Sequence, residues 1–419
     1  MKTSLVTLKF WLLAYFLLIL PKVNLLALVE SKLGKIEAIG TLSAEYDSKA
    51  FGISSTAFSG AKSNSSIPNN ELKSEDDFII SFSPALHYSK TLKWFTFTGT
   101  AGIALVQYIK NDDKSYTQPI TTFSIDFDET LSKNKRISNN AKIRFDATFD
   151  LGQSVGASVL DQDLTSYTFF DVGLNLRYNH SPKFGIGAST SYNLKDYQSG
   201  AVQEQPYQDL STLPLSLRAF YIYSEKLDFY SDYTLTRTKG DHNGALTLTD
   251  SQSHAFSIGA QGDYSSKLSG NANIGYSTLN FDNSSASKQD NLISQIGIKW
   301  TLNPKSSFNF DLSRTFSPSA QGFSTFGTSF RVTASHRMTE KITASAYLSL
   351  AAIDYTHPPK SSGSLQDATS LNQYGMGMSL QKAITARISA SGGYDYSYID
   401  YSGDKYGRHV LRAELTGRF

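Results

Sequence analysis

The sequence has no cysteine, which excludes a disulfide framework, thiolate metal sites and a lipid anchor on an N-terminal cysteine. Proline is scarce, at 11 of 419 residues. Neither sign of charge prevails, with 39 Lys+Arg against 37 Asp+Glu, so the basic excess of a nucleic-acid footprint is missing. Past the first 27 residues no apolar run approaches the roughly 18 that a membrane-crossing helix needs. The seven histidines stand singly, and there is no HExxH, His/Cys cluster or GxSxG. A metal hydrolase and a nucleophile elbow therefore find no support. A Ser/His/Asp set assembled from several strands remains open, because geometry rather than order defines one.

What is present begins with a leader. Lys2 and Lys9 precede an apolar stretch, Phe10–Leu20, shorter than the roughly 20 residues of a spanning helix but suited to the core of a secretory signal. The sequence predicts a cleaved signal over residues 1–27, ending near Leu25-Leu26-Ala27, and one domain over 28–419; an uncleaved anchor is the alternative. Removal takes Lys2, Lys9 and Lys22 and no acid, leaving 36 Lys+Arg against 37 Asp+Glu.

Only 40% of residues are hydrophobic, yet 13% are aromatic, including 24 Tyr and 26 Phe. Alternating strands with one face in lipid and aromatic girdles at the interfaces have this composition. The last stretch shows the alternation: Leu411, Ala413, Leu415, Gly417 and Phe419 fall on one side of an extended chain, and Arg412, Glu414, Thr416 and Arg418 on the other,. The same pattern runs from Lys35 onward. Phe184/Ile186/Ala188 follows a turn at His180–Lys183, Gly270/Ala272/Ile274 a turn at Ser265–Lys267, and Ala386/Ile388/Ala390 a turn at Lys382–Ile384. Lys183, Lys226, Lys267, Lys305 and Lys341 are 43, 41, 38 and 36 residues apart, a hairpin-sized period too uneven for a propeller.

Counting these units predicts an all-β chain: a transmembrane antiparallel up-and-down barrel of about 18 strands (16–18). Short turns and longer loops are expected to alternate throughout, the longest loop being the Ser/Asn-rich 48–76. A soluble β-sandwich array is the competitor, but it has no reason to sort its connections in this way. In lipid a sheet must close to leave no edge. About eight strands can be filled by side chains, whereas 16–18 leave a channel.

The inward set then carries Lys142, Arg144 and Asp146; Arg177; Arg218; Asp228 and Asp232; Lys299; Asp311; Arg331 and Arg337; and Arg412, Glu414 and Arg418. These are either solvated lumen residues or a transverse field, with arginines facing acids such as Asp146 and Asp311, that orients solutes. Phe220 and Tyr230 also point inward. Loop 48–76 is long enough to fold into the bore, or to stand outside it as a tip. Asp126–Glu129 and Asp161–Asp163 are solvated strand ends or a weak site for a hard cation.

The repeated Ser-x-Lys turns (Ser181-Pro182-Lys183-Phe184, Ser265-Ser266-Lys267-Leu268), the Gly/Ala/Tyr strands after them and the terminal Arg418-Phe419 give a chain that resembles the β-barrel porin-2 family of Gram-negative outer-membrane proteins. The resemblance implies an outer-membrane barrel, a porin, and in some members an association with exopolysaccharide production. The asymmetry of short periplasmic turns and longer extracellular loops puts both termini in the periplasm. It brings no catalytic residue and no cofactor. Ending on Phe419, with Leu415 and Gly417 on the same face, resembles the signal that the barrel-assembly machinery reads. The expected function is passive diffusion of small hydrophilic solutes, with an exopolysaccharide-export barrel and a plugged structural barrel as alternatives. Expected partners are outer-membrane lipid and lipopolysaccharide, the assembly machinery and the solutes; oligomeric state stays open.

Overall fold

The computed structural model describes residues 30–31, 34–63, 72–93, 95–128, 143–158, 163–197, 209–240, 250–282, 288–318, 324–356, 370–401 and 403–419. The leader over 1–27 lies outside these residues. Eighteen long strands follow in order: β1 Gly34–Asp47, β2 Asp77–Thr91, β3 Phe95–Tyr108, β4 Tyr116–Asp128, β5 Ile143–Ser158, β6 Asp163–Asn179, β7 Phe184–Tyr197, β8 Leu210–Ser224 and β9 Leu227–Gly240. Then come β10 Ser251–Asp263, β11 Leu268–Phe281, β12 Gln289–Asn303, β13 Ser306–Pro318, β14 Ser324–Arg337, β15 Ile342–Thr356, β16 Ser370–Ala383, β17 Ile388–Tyr401 and β18 Asp404–Arg418. A two-residue strand, Glu30–Ser31, folds back on β1.

Each strand pairs antiparallel with its neighbours in sequence, and β18 pairs with β1, so the sheet is a closed 18-strand barrel. The seam runs to the last residue: the Phe419 N–H donates to the Ala38 carbonyl and the Ala38 N–H to the Phe419 carbonyl, both at 2.8 Å. A Cβ on Gly417 would come within 2.8 Å of the Phe419 ring, so glycine there lets the ring lie over the backbone.

The outward face is apolar and uncovered. Leu348 is 65% exposed and Met378 63%, and Leu217, Ile258, Tyr223 and Phe256 all exceed half. Water would penalise such a surface at about 25 cal/mol per Å², and a bilayer would not. Tyr223 against Phe229 and Trp300 against Phe308 form ring pairs near the short turns, at 5.9 and 5.5 Å. Strands of 13 to 17 residues exceed the roughly 9–11 needed to cross hydrocarbon, so the wall projects beyond it. Among the described residues no helix is long and apolar enough to cross a membrane.

The turns explain the lysine period. At six successive hairpins a Ser, Asn or Thr side-chain oxygen accepts the backbone N–H of a basic residue two positions on, at 2.9–3.3 Å: Ser181 with Lys183, Ser224 with Lys226, Ser265 with Lys267, Asn303 with Lys305, Thr339 with Lys341 and Thr385 with Arg387. These are the local Asx and ST turns such residues favour. The carbonyl of each basic residue accepts an N–H from the next hairpin at 2.7–2.9 Å, from Ile222, Asp263, Thr301, Arg337, Ala383 and Arg418 in turn.

Three expectations need correction. The last of these turns lies at 384–387, after β16, not at Lys382–Ile384, because Thr385 supplies the hydroxyl. Short and long connections do not alternate without exception. β17 and β18 are joined at the long-loop end by only residues 402–403, with Gly403 at φ +96°. At the other end β4 and β5 are separated by 129–142, outside the described residues together with the expected turn at 132–136. The third correction concerns loop 48–76, which carries a helix, α1, at Ser55–Ser63.

Eighteen strands about 4.8 Å apart close a perimeter of about 86 Å, hence a backbone diameter of about 28 Å before tilt widens it. Side chains reaching inward cannot meet across that width. Packing therefore occurs along the wall, and the two buried apolar clusters both lie inside the long-loop end.

Candidate functional site

The inner face is set by alternation, opposite the exposed apolar residues. On β10–β12 it reads Ser253, Ser257, Gln261, Asn271, Asn273, Ser277, Asn291 and Gln295, a neutral stretch of hydroxyls and amides that ends at Lys299 near the short-turn end of β12. Charge gathers in three places.

The first is a recess of about 750 Å³ near the short-turn end, whose lining includes Arg144, Arg177, Glu225, Lys226, Asp228, Lys299 and Asp311. Five of the predicted residues meet here; Glu225 and Lys226 were missed because they sit in a turn, where alternation gives no face. Arg177 donates from Nη1 to Asp228 at 2.8 Å and from Nε to Asn179 at 2.9 Å. Beside it Arg218 donates to Asp232 at 2.7 Å. The Arg177 guanidinium lies 4.1 Å from the Phe220 ring and that of Arg218 4.2 Å from the Tyr230 ring. The inward aromatics are thus interleaved with paired arginines, all but Arg218 and Asp228 buried. Such contacts contribute about 0.5–2 kcal/mol each when desolvated.

The second is a belt across six adjacent strands from β14 to β1. Arg331 lies 3.6 Å from the Tyr347 ring. The Tyr347 hydroxyl donates to Asp395 at 2.6 Å, Arg412 donates to Asp395 at 3.2 Å, and Arg412 Nε also binds Glu45 across the seam. β16 passes between Tyr347 and Asp395 with only Gly377, where a Cβ would stand 2.3 Å from Asp395 Oδ1 and 2.4 Å from the Tyr347 ring. Arg331 and Arg412 were predicted; Tyr347, Asp395 and Glu45 require the register.

The remaining predicted residues stand apart. Glu414 accepts from Thr416 at 3.1 Å. Arg337 and Arg418 lie at the rim, their N–H groups donating to the turn carbonyls of Lys305 and Arg387. Lys142 lies outside the described residues, as do Glu129, Asp161 and Gln162. The charges engage along the wall rather than across the bore. Cross-strand neighbours are about 5 Å apart, whereas opposite walls exceed the Debye length of about 8–10 Å.

The third place is loop 48–76. Phe51, Ile53 and Leu72 are buried against inward Tyr108, with Ile79, Val106 and Tyr116 alongside, and Phe51 stacks on Tyr108 at 5.3 Å. The described parts of the loop thus line the bore. Buried Asp47 accepts from Arg408 Nε at 3.0 Å, Ser54 donates to Asp404, and the Tyr406 hydroxyl donates to the Gly52 carbonyl. Asp77, fully buried, accepts the N–H groups of Phe78, Ile109, Lys110 and Asn111 at 2.8–2.9 Å. The Asn111 side chain binds Lys73 N–H at 2.7 Å, which ties the loop's return to the next one. At the surface, Lys73 holds the Asp112 and Asp113 carboxyls below the usual range and is itself raised by them; Lys110 does the same to Asp76. Among the described residues no His/Cys/Asp/Glu group could hold a metal.

Residues 183–419 match the family described as Putative beta-barrel porin 2. No curated protein matches. Among solved structures, OpdK of Pseudomonas aeruginosa is similar at 11% identity and TM-score 0.46, covering 92% of this chain and 98% of that one. OccK2 (OpdF) of the same organism gives 10%, 0.46, 92% and 98%. A bacterial polysaccharide outer membrane secretin gives 12%, 0.34, 91% and 98%. With more than half its length matched, in the closed barrel described above, the chain belongs to the Putative beta-barrel porin 2 family of the bacterial outer membrane.

Proposed function

We infer that the barrel is an outer-membrane channel for passive diffusion of small hydrophilic solutes. The observation that carries this is a closed wall of eighteen strands, apolar outside and polar inside, too wide for its own side chains to fill,. Short turns and both termini face the periplasm, and the long loops face outward, as such barrels are arranged. Residues 1–27 are removed on export. The strand ending Leu415, Gly417 and Phe419 is what the assembly machinery reads. The inward charges tune which solutes pass.

Loop 48–76 narrows the outer mouth. The test is single-channel conductance of refolded residues 28–419 and of the same chain lacking 48–76. Stable ohmic steps that grow in the deletion are expected. Two folded but silent barrels would overturn the channel and favour a structural role. An exopolysaccharide channel would be favoured by a track of accessible lumenal aromatics, but Phe220 and Tyr230 are buried against Arg177 and Arg218.

A further inference from the structure

We propose that the recess at the short-turn mouth is a binding subsite for small organic anions, solutes bearing a carboxylate or phosphate. The inference rests on the channel reading for its role in transport, but not for binding itself.

Three other arginines of the bore are matched by carboxylates, Arg218 with Asp232, Arg408 with Asp47, and Arg412 with Glu45 and Asp395, while Arg331 lies on the Tyr347 ring. The recess departs from this. Arg177 is satisfied by Asp228 and Asn179, but among the described residues Lys226 and Lys299 enter no ion pair, and Arg144 reaches Asp146 only at 4.0 Å. All three are exposed to the water of the bore. Asp311 stands opposite Arg331 in the β13–β14 register, yet that guanidinium is turned onto Tyr347.

Two free ammonium groups and a nearly free guanidinium therefore share one concavity. The turn before β9 and the strand β12 are about three strand spacings apart, about 14 Å, and two lysines lining one recess across that distance leave room for a ligand of a few carbons. The surrounding rim adds to the field. Its six basic turn residues, Lys183, Lys226, Lys267, Lys305, Lys341 and Arg387, are accompanied in those turns by only Glu225 and Glu340. A ring with this basic excess around a low-dielectric wall concentrates anions at the mouth.

The probe is succinate, titrated calorimetrically into residues 28–419 refolded in detergent micelles, with refolding checked by circular dichroism. Binding is expected, and Lys226→Gln with Lys299→Gln is expected to weaken it about tenfold, the loss of two solvent-screened charge contacts. Asp311→Asn removes a repulsive neighbour and is expected to tighten it about threefold. No succinate binding, or equal binding by the folded double variant, overturns the subsite. Because binding is read without current, a silent barrel that still binds succinate refutes the channel alone. A conducting barrel that ignores succinate refutes the subsite alone.

Discussion

At the long-loop end the inner wall is covered, with Phe51, Ile53 and Leu72 packed on it and the Asp47 carboxylate locked to Arg408 out of water. At the short-turn end no loop covers Lys226, Lys299 and Asp311, whose side chains have no ion-pair partner among the described residues. Desolvation accounts for the difference. A charge covered by a loop must be matched or the loop will not stay, whereas one left in water needs no partner and remains free for a solute. One mouth is built to hold its own chain, the other to meet something else.

The largest expected effect breaks the covered mouth. Arg408→Met leaves Asp47 buried beneath the loop without its cation, a loss of about 3–5 kcal/mol, felt by loop docking rather than by the whole barrel. Limited proteolysis should then cut within 48–63, where the wild type resists. Replacing both partners, Asp47→Asn with Arg408→Met, should restore part of the resistance, because no stranded charge remains. Equal cleavage of wild type and Arg408→Met would show that the apolar contacts alone dock the loop.

A smaller effect is expected between the mouths. Gly377→Ala places a methyl group where the Tyr347 ring and Asp395 meet, both within 2.4 Å of its position. One of them must yield, at about 1–3 kcal/mol. A lower melting temperature in micelles checks this. An unchanged one would mean that the belt is slack and the two mouths are not joined by a rigid wall.

The barrel was legible because period two survives without knowledge of partners: the outward Leu, Phe and Tyr positions show strands wherever they recur. The same alternation set Arg144, Arg177 and Lys299 on the inner face before any contact was known. It could not say that Arg331 turns to Tyr347 rather than to Asp311, since rotamers and register are not periodic. Glu45 meeting Arg412 depends on closure, which brings together residues 367 positions apart. The loop was the least legible. Its Ser/Asn-rich composition reads as solvated, and a few apolar residues such as Phe51, Ile53, Phe58 and Leu72, spread over an aperiodic stretch, are the hint that it packs. Lys226 was visible as a repeat marker but not as a lumen group, because a turn residue has no assigned face.

The smallest effect separates the surface of the long-loop mouth from its buried part. Asp112 and Asp113 are depressed by Lys73, and Asp76 by Lys110, below an ordinary 3.8; both lysines are raised above 10.5. A depressed carboxyl stabilises the folded loop above about pH 3.8 and ceases to as pH falls through its lowered value. A raised lysine contributes below about pH 10.5 and ceases to as pH climbs through its raised one. Proteolytic protection of the loop should therefore be flat between those limits and should decline slightly beyond each. High salt should mimic the decline within the plateau, because these groups are solvent-exposed and screened. A marked loss of protection near pH 6, where none of these pairs titrates, would mean that a different group holds the loop. The contrast between a buried, salt-insensitive anchor and a screened outer fringe would then have to be redrawn.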